Sequence, residues 1–204
     1  MEETRAPVLL IPGSPALVAE LSPAHAPSRR IAEAVRHAAE LARNMYGASP
    51  VDIVCPCGER DYASRTGTFA AWGAPQVDVG GGNYLGELLT RYLLGERTYR
   101  PARETLAPLD PGALTVVVVD GPAGLTPRAP LAFIESAPGI HEALKHFIET
   151  GRDLPGAAAL AQAGVDKHEP WEALAALNPV RAELVDADDT LGVGRYVGLW
   201  EVRC

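Results

Sequence analysis

Hydrophobic and polar positions alternate in two distinct rhythms along the chain. Residues 7–11 form a short, unbroken apolar run stopped by Pro12-Gly13, the pattern of a strand buried on both faces. Residues 28–46 switch to a helical rhythm: Ile31, Val35, Ala38, Leu41, Ala42 and Met45 recur at three- and four-residue steps. Ser28 is the expected N-cap there and Gly47 the expected stop. Residues 51–55 predict a second strand, closed by Pro56. Residues 57–82 have weak periodicity and predict a long loop with a short strand near Val77 and Val79. Asn83 is then expected to cap a helix carrying Leu85, Leu88, Leu89, Tyr92 and Leu93.

The run 114–119 holds four consecutive valines, whose β-branched side chains suit a central strand. Asp120-Gly-Pro follows as a turn. Residues 140–148 predict a helix ended by Gly151, and 154–163 and 170–177 predict shorter helices, with Pro170 suited to a first turn. Residues 180–185 and 196–202 predict closing strands. Strands alternating with helices imply an α/β fold with a mostly parallel central sheet flanked by helices on both faces. The 204 residues fit one domain spanning 1–204, without repeats or a clear linker.

Charge narrows the partners. The net charge of −8 repels phosphate and anionic lipid, so neither nucleic acid nor membrane is an expected partner. The run 7–11 is too short for a signal core or a membrane span. The cysteines, Cys55, Cys57 and Cys204, are odd in number and make no disulfide framework. A reducing, cytoplasmic location is the expectation.

The local sequences at three strand ends carry the candidate chemistry. They are Ile11-Pro-Gly-Ser-Pro-Ala-Leu-Val-Ala-Glu-Leu21, Ile53-Val-Cys-Pro-Cys-Gly58 and Val119-Asp-Gly-Pro-Ala-Gly-Leu-Thr-Pro-Arg-Ala-Pro130, followed near the end by Leu191-Gly-Val-Gly-Arg-Tyr-Val-Gly-Leu-Trp200. In this order the four segments resemble the class III extradiol dioxygenase subunit-B-like family, and within it shortened actinobacterial-type members. The resemblance runs from Pro7 to Trp200. It implies the family's α/β scaffold and a cleft at the strand ends. Active members hold Fe(II) with two His and one carboxylate, leaving positions open for catechol and O2. Here Ser14 and Cys57 stand where the iron-binding His residues would be, and Ala123 where a catalytic His would follow the third strand. Asp188 stands loosely near an acidic position. A serine hydroxyl is a poor neutral ligand, a thiolate favours softer metals, and alanine moves no proton. The resemblance therefore implies a member without bound metal, cofactor or ring-cleavage activity. A small molecule in the cleft, a protein partner or a homodimer is the expected use of the scaffold.

Read from the residues alone, each feature also has a plainer role. Ser14 sits in a turn and lacks the Gly-x-Ser-x-Gly elbow of a nucleophile. Cys55 is expected in the core and Cys57 at the strand mouth, where it is the residue for an alternative thiol- or metal-dependent chemistry. Asp120 follows the best strand, a frequent ligand position in open α/β sheets and equally a frequent turn position. Cys55 and Asp188 complete the set of pocket candidates. Gly80-Gly81-Gly82 precedes a helix but lacks a phosphate-loop pattern, so a turn is expected. His25, His37, His141, His146 and His168 are expected in solvated or capping roles. Trp72, Trp171 and Trp200 are expected as core or interface anchors, with a patch around Trp72 or Trp200 as the interface candidate.

Overall fold

The computed structural model describes residues 4–204. The chain forms β1 (Arg5–Ile11), α1 (Ala26–Tyr46), β2 (Val51–Val54), β3 (Thr68–Phe69), β4 (Ala74–Asp78), α2 (Leu85–Leu94), β5 (Leu114–Val118), α3 (Ala137–Thr150), α4 (Ala157–Gln162), α5 (Glu169–Ala175), β6 (Arg181–Asp188) and β7 (Arg195–Arg203). Five strands make the main sheet in the order β2-β5-β1-β7-β6. The valine-rich β5 is interior, hydrogen-bonded to β2 and β1 on its two sides.

The two parallel pairings are β2–β5 and β5–β1, whereas β1–β7 and β7–β6 are antiparallel. The sheet is therefore half parallel, not mostly parallel. β7, from the far end of the chain, docks antiparallel on β1, and the short connection between β6 and β7 keeps that pair antiparallel as well. The region expected as a long loop with a short strand near Val77 and Val79 holds the small β3–β4 hairpin, whose β4 includes Val77 and whose β3 was not expected.

Alternation along the strands divides the core into two layers. Leu9, Ile11, Ile53, Val116 and Val118 face α1 and α2. Val8, Leu10, Val117 and Val119 face the other way, against Phe147, Leu160, Trp171, Leu174 and Trp200. Helices thus cover both faces. Trp200 is buried and donates from Nε1 to Ile148 O at 2.7 Å, so it forms no exposed patch; Trp72 is half-buried.

Two helix caps differ from expectation. His25, not Ser28, is the N-cap of α1, and its Nδ1 accepts from the Ser28 N–H at 3.2 Å. Gly47 ends α1 at φ +61°, the left-handed conformation that glycine adopts without a Cβ clash. Tyr84 is the N-cap of α2; Asn83 lies one residue earlier and gives its backbone N–H to Glu87 Oε2. At the start of the triple glycine, the Gly80 N–H donates to Asp78 Oδ1 at 2.8 Å. These N–H groups face carboxylates of their own chain. No helix among the described residues is long and apolar enough to cross a membrane.

Candidate functional site

The connections define where a site belongs. The helices following β1 and β2 pack on one face, and those following β5 pack on the other. The direction of winding therefore reverses between β1 and β5, the place where open α/β sheets form a crevice outside the carboxyl ends of their strands. There Asp120, one of the expected positions, meets the residue that precedes Ser14. Gly13 N–H donates to Asp120 Oδ1 at 2.9 Å. A Cβ on Gly13 would lie 2.5 Å from Asp120 Oδ2, so the close approach requires glycine. Ser14 follows as a half-buried turn residue whose side chain does not cap the short 3-10 turn Pro15–Leu17.

Asp120 keeps solvent-accessible surface although protein crowds its carboxyl from several sides. That crowding pushes its carboxyl up. The Gly13 N–H opposes the shift, and the nearby Asp166 carboxylate adds to it. Water contact limits the size of the effect.

Beside the end of β2 lies an open cavity of about 1020 Å3. Val54, Cys55 and Pro56 supply one wall, Leu106 and Ala107 another, and α5 with Ala176 and Leu177 a third. Arg60, Asp61, Glu104, Asp166, Lys167 and Glu169 supply its charged groups. Lys167 Nζ lies 2.6 Å from Asp61 Oδ2. Trp171 ties α5 to the crevice, since its Nε1 donates to Asp120 O at 3.1 Å.

The cysteines occupy this region with different roles. Cys55 is buried against α2, where a Cβ on Gly86 would lie 2.5 Å from the Cys55 Cβ. Burial and the neighbouring Cys57 push its thiol far up. Cys57 is half-buried and donates from Sγ to Cys55 O at 3.3 Å. Burial raises its pKa, Cys55 partly opposes this, and Glu104, Glu87 and Asp61 raise it further. Those surroundings oppose a thiolate nucleophile.

Ala123 and Asp188 are held elsewhere. Ala123 lies in the loop after β5, with its N–H on Gly164 O and its carbonyl accepting from Leu131 N–H. Asp188 is buried in an ion pair with Arg195, whose side chain is fully buried. Arg195 Nε donates to Asp188 Oδ2 at 3.1 Å, and one of its terminal nitrogens donates to Ser28 Oγ at 2.7 Å. The Ser28 hydroxyl is then free to donate to His25 Nδ1 at 2.8 Å. This network pins the β6–β7 hairpin to the start of α1. Asp188 is thus a structural anchor and not an open pocket carboxylate.

One histidine departs from the solvated or capping role. His141 is buried, stacks on Tyr196 with ring centroids 5.3 Å apart, and shares a 2.8 Å hydrogen bond between Nδ1 and the tyrosine hydroxyl. Burial lowers the His141 pKa and raises that of Tyr196. Gly194 makes room: a Cβ there would lie 2.3 Å from the Tyr196 oxygen. The glycines flanking Tyr196 in sequence were the available signal. The charged residues around the cavity carried none, because loops of distant sequence number supply them.

An Fe(II) site of the type the resemblance implies does not fit these residues. The Cys57 thiol is turned to its own chain, Ala123 offers no side-chain donor, and Asp188 is committed to Arg195. Among the described residues no three His, Cys, Asp or Glu side chains converge in a metal-binding group. The fold and crevice define a mixed α/β protein with a half-parallel five-stranded sheet. No family model and no curated protein matches the chain.

Proposed function

We propose that this chain is a non-catalytic binding protein on a scaffold similar to the class III extradiol dioxygenase subunit-B-like proteins, and that it takes a small molecule at the carboxyl ends of its strands. The observation that carries this reading is the cavity of about 1020 Å3 beside β2, mostly apolar in its walls with a few polar groups at its edge. Its size suits a drug-sized organic molecule. The replaced positions Ser14, Cys57 and Ala123 support the absence of ring cleavage, because none of them supplies the imidazole that catechol chemistry would use. The raised Cys57 thiol weighs against the alternative of thiol-dependent catalysis.

Two measurements test the two halves of the proposal. Purified protein incubated anaerobically with Fe(II), then given catechols and O2, is expected to release no ring-cleaved product. Turnover in that assay overturns the non-catalytic reading. Ligand-observed NMR against a fragment set is expected to give binders that Ala173→Trp displaces, since residue 173 lines the cavity. Binders indifferent to that substitution would place the site elsewhere.

A further inference from the structure

We infer that the cavity beside β2 selects a ligand with an apolar body and a cationic group of the amine class; this rests on reading the cavity as a binding site. The argument is the charge that remains after the protein's own pairing. Four of the six charged residues around the cavity are acidic, Asp61, Glu104, Asp166 and Glu169, and two are basic, Arg60 and Lys167. Lys167 is matched by Asp61 at 2.6 Å. Glu104 accepts from the Cys57 N–H, a neutral donor, at 3.1 Å. Among the described residues no Lys, Arg or His lies within ion-pair distance of Glu104, Asp166 or Glu169, and none of the acidic groups lies so close to Arg60. Three carboxylates therefore face one guanidinium at the edge of the cavity.

The apolar part is contributed from within. Val54 and Leu106 are buried at the base, and Ala173 and Leu177 of the opposite wall are partly covered. An aromatic or aliphatic body that reaches these residues places its polar end at the carboxylate edge. A cation there gains attraction from the surplus negative charge. An anion meets repulsion from it, and a neutral group gains neither. The influence of Asp166 reaches beyond the edge, since its charge is felt at Asp120 after β5. Because the edge carboxylates are hydrated, the selectivity is moderate, about tenfold for two surplus charges near the ligand.

A matched trio with one apolar body tests this: 2-naphthylmethylammonium, 2-naphthylmethanol and 2-naphthoate, titrated into the full chain by calorimetry or NMR at low salt. The expected order is ammonium, alcohol, carboxylate, with about a tenfold step from alcohol to ammonium that shrinks to about twofold in 0.5 M NaCl. The double variant Asp166→Asn/Glu169→Gln is expected to bring the affinity for the ammonium close to that for the alcohol. Both sites lie on exposed surface, so folding is preserved. An alcohol or carboxylate that binds as tightly as the ammonium, or a preference that survives the double variant intact, overturns the charge selectivity while leaving the cavity as a binding site. If Ala173→Trp leaves all three affinities unchanged, or none of the three binds at millimolar concentration, the cavity reading itself fails.

Discussion

The reactivity of each cysteine follows from its immediate neighbours. Cys55 is sealed beneath Gly86, Cys57 hydrogen-bonds to a carbonyl among three acidic residues, and Cys204 is exposed. Native-state alkylation followed by mass spectrometry is expected to modify Cys204 first and Cys57 slowly, with Cys55 reacting only on unfolding. Rapid, selective modification of Cys57 at neutral pH would move the alternative, thiol-dependent chemistry ahead of the non-catalytic reading. His141 is the second informative residue. Substituting His141→Leu leaves the buried Tyr196 hydroxyl unpaired and is expected to cost about 1–3 kcal/mol. The pH dependence has a definite sign. The folded protein holds the His141 pKa below its ordinary value of 6.5, so the unfolded chain binds the proton first. Stability is therefore full above that value and falls as pH drops toward the folded pKa. Denaturant titrations between pH 7.5 and pH 5 should show this slope in the native chain and a shallower one in His141→Leu.

Elements are joined chiefly by packing, and a buried ion pair fastens the β6–β7 hairpin to α1. Arg195 at the start of β7 links Asp188 at the end of β6 to Ser28 in the first turn of α1. Burial alone would raise the Asp188 carboxyl, but Arg195 and Thr190 more than offset it and hold it below the ordinary range. Removing one partner strands the other charge, so Asp188→Ala is expected to cost about 3 kcal/mol at pH 7. Because the folded pKa is depressed, this stabilisation is present above the ordinary carboxyl value and lost as pH falls through the folded one. Urea midpoints of native chain and variant should accordingly approach each other as pH falls below the ordinary carboxyl value; a gap that stays constant would mean that packing, not charge, holds the hairpin. Expectations at this scale were mostly legible in the sequence. The valine run of β5 and the three- and four-residue rhythm of α1 are enforced by burial over many positions. The caps were less legible, since Ser28 and His25 both offer side-chain acceptors and only the path of the preceding chain chooses between them.

On the scale of the whole molecule, the reversal of winding between β1 and β5 puts Gly13 against Asp120, and α5 against the end of β5. The same arrangement opens the cavity where Lys167, Asp61 and Glu104 gather from three separate stretches. Metal content after anaerobic incubation with Fe(II), Zn(II) or Mn(II) and removal of excess ion is expected to be well below one equivalent. Tight one-to-one binding would mean that a replacement site exists, and Cys57 would be the first residue to mutate.

The sequence by itself determined where the strands of the main sheet and the helices form, that β5 is interior and that Gly47 ends α1. Each of these depends on residues close in the chain, through side-chain periodicity or backbone freedom. It also brought Gly13, Ser14 and Asp120 to notice, because strand ends are marked by proline, glycine and aspartate. Tertiary structure alone decided that half the strand pairings are antiparallel, that Asp188 closes on Arg195, that His141 is buried against Tyr196, and that Cys57 faces a carbonyl among carboxylates. The physical reason is shared: a hydrogen bond, a desolvation or a charge surplus depends on which distant groups approach within a few ångströms, and local pattern does not encode that approach.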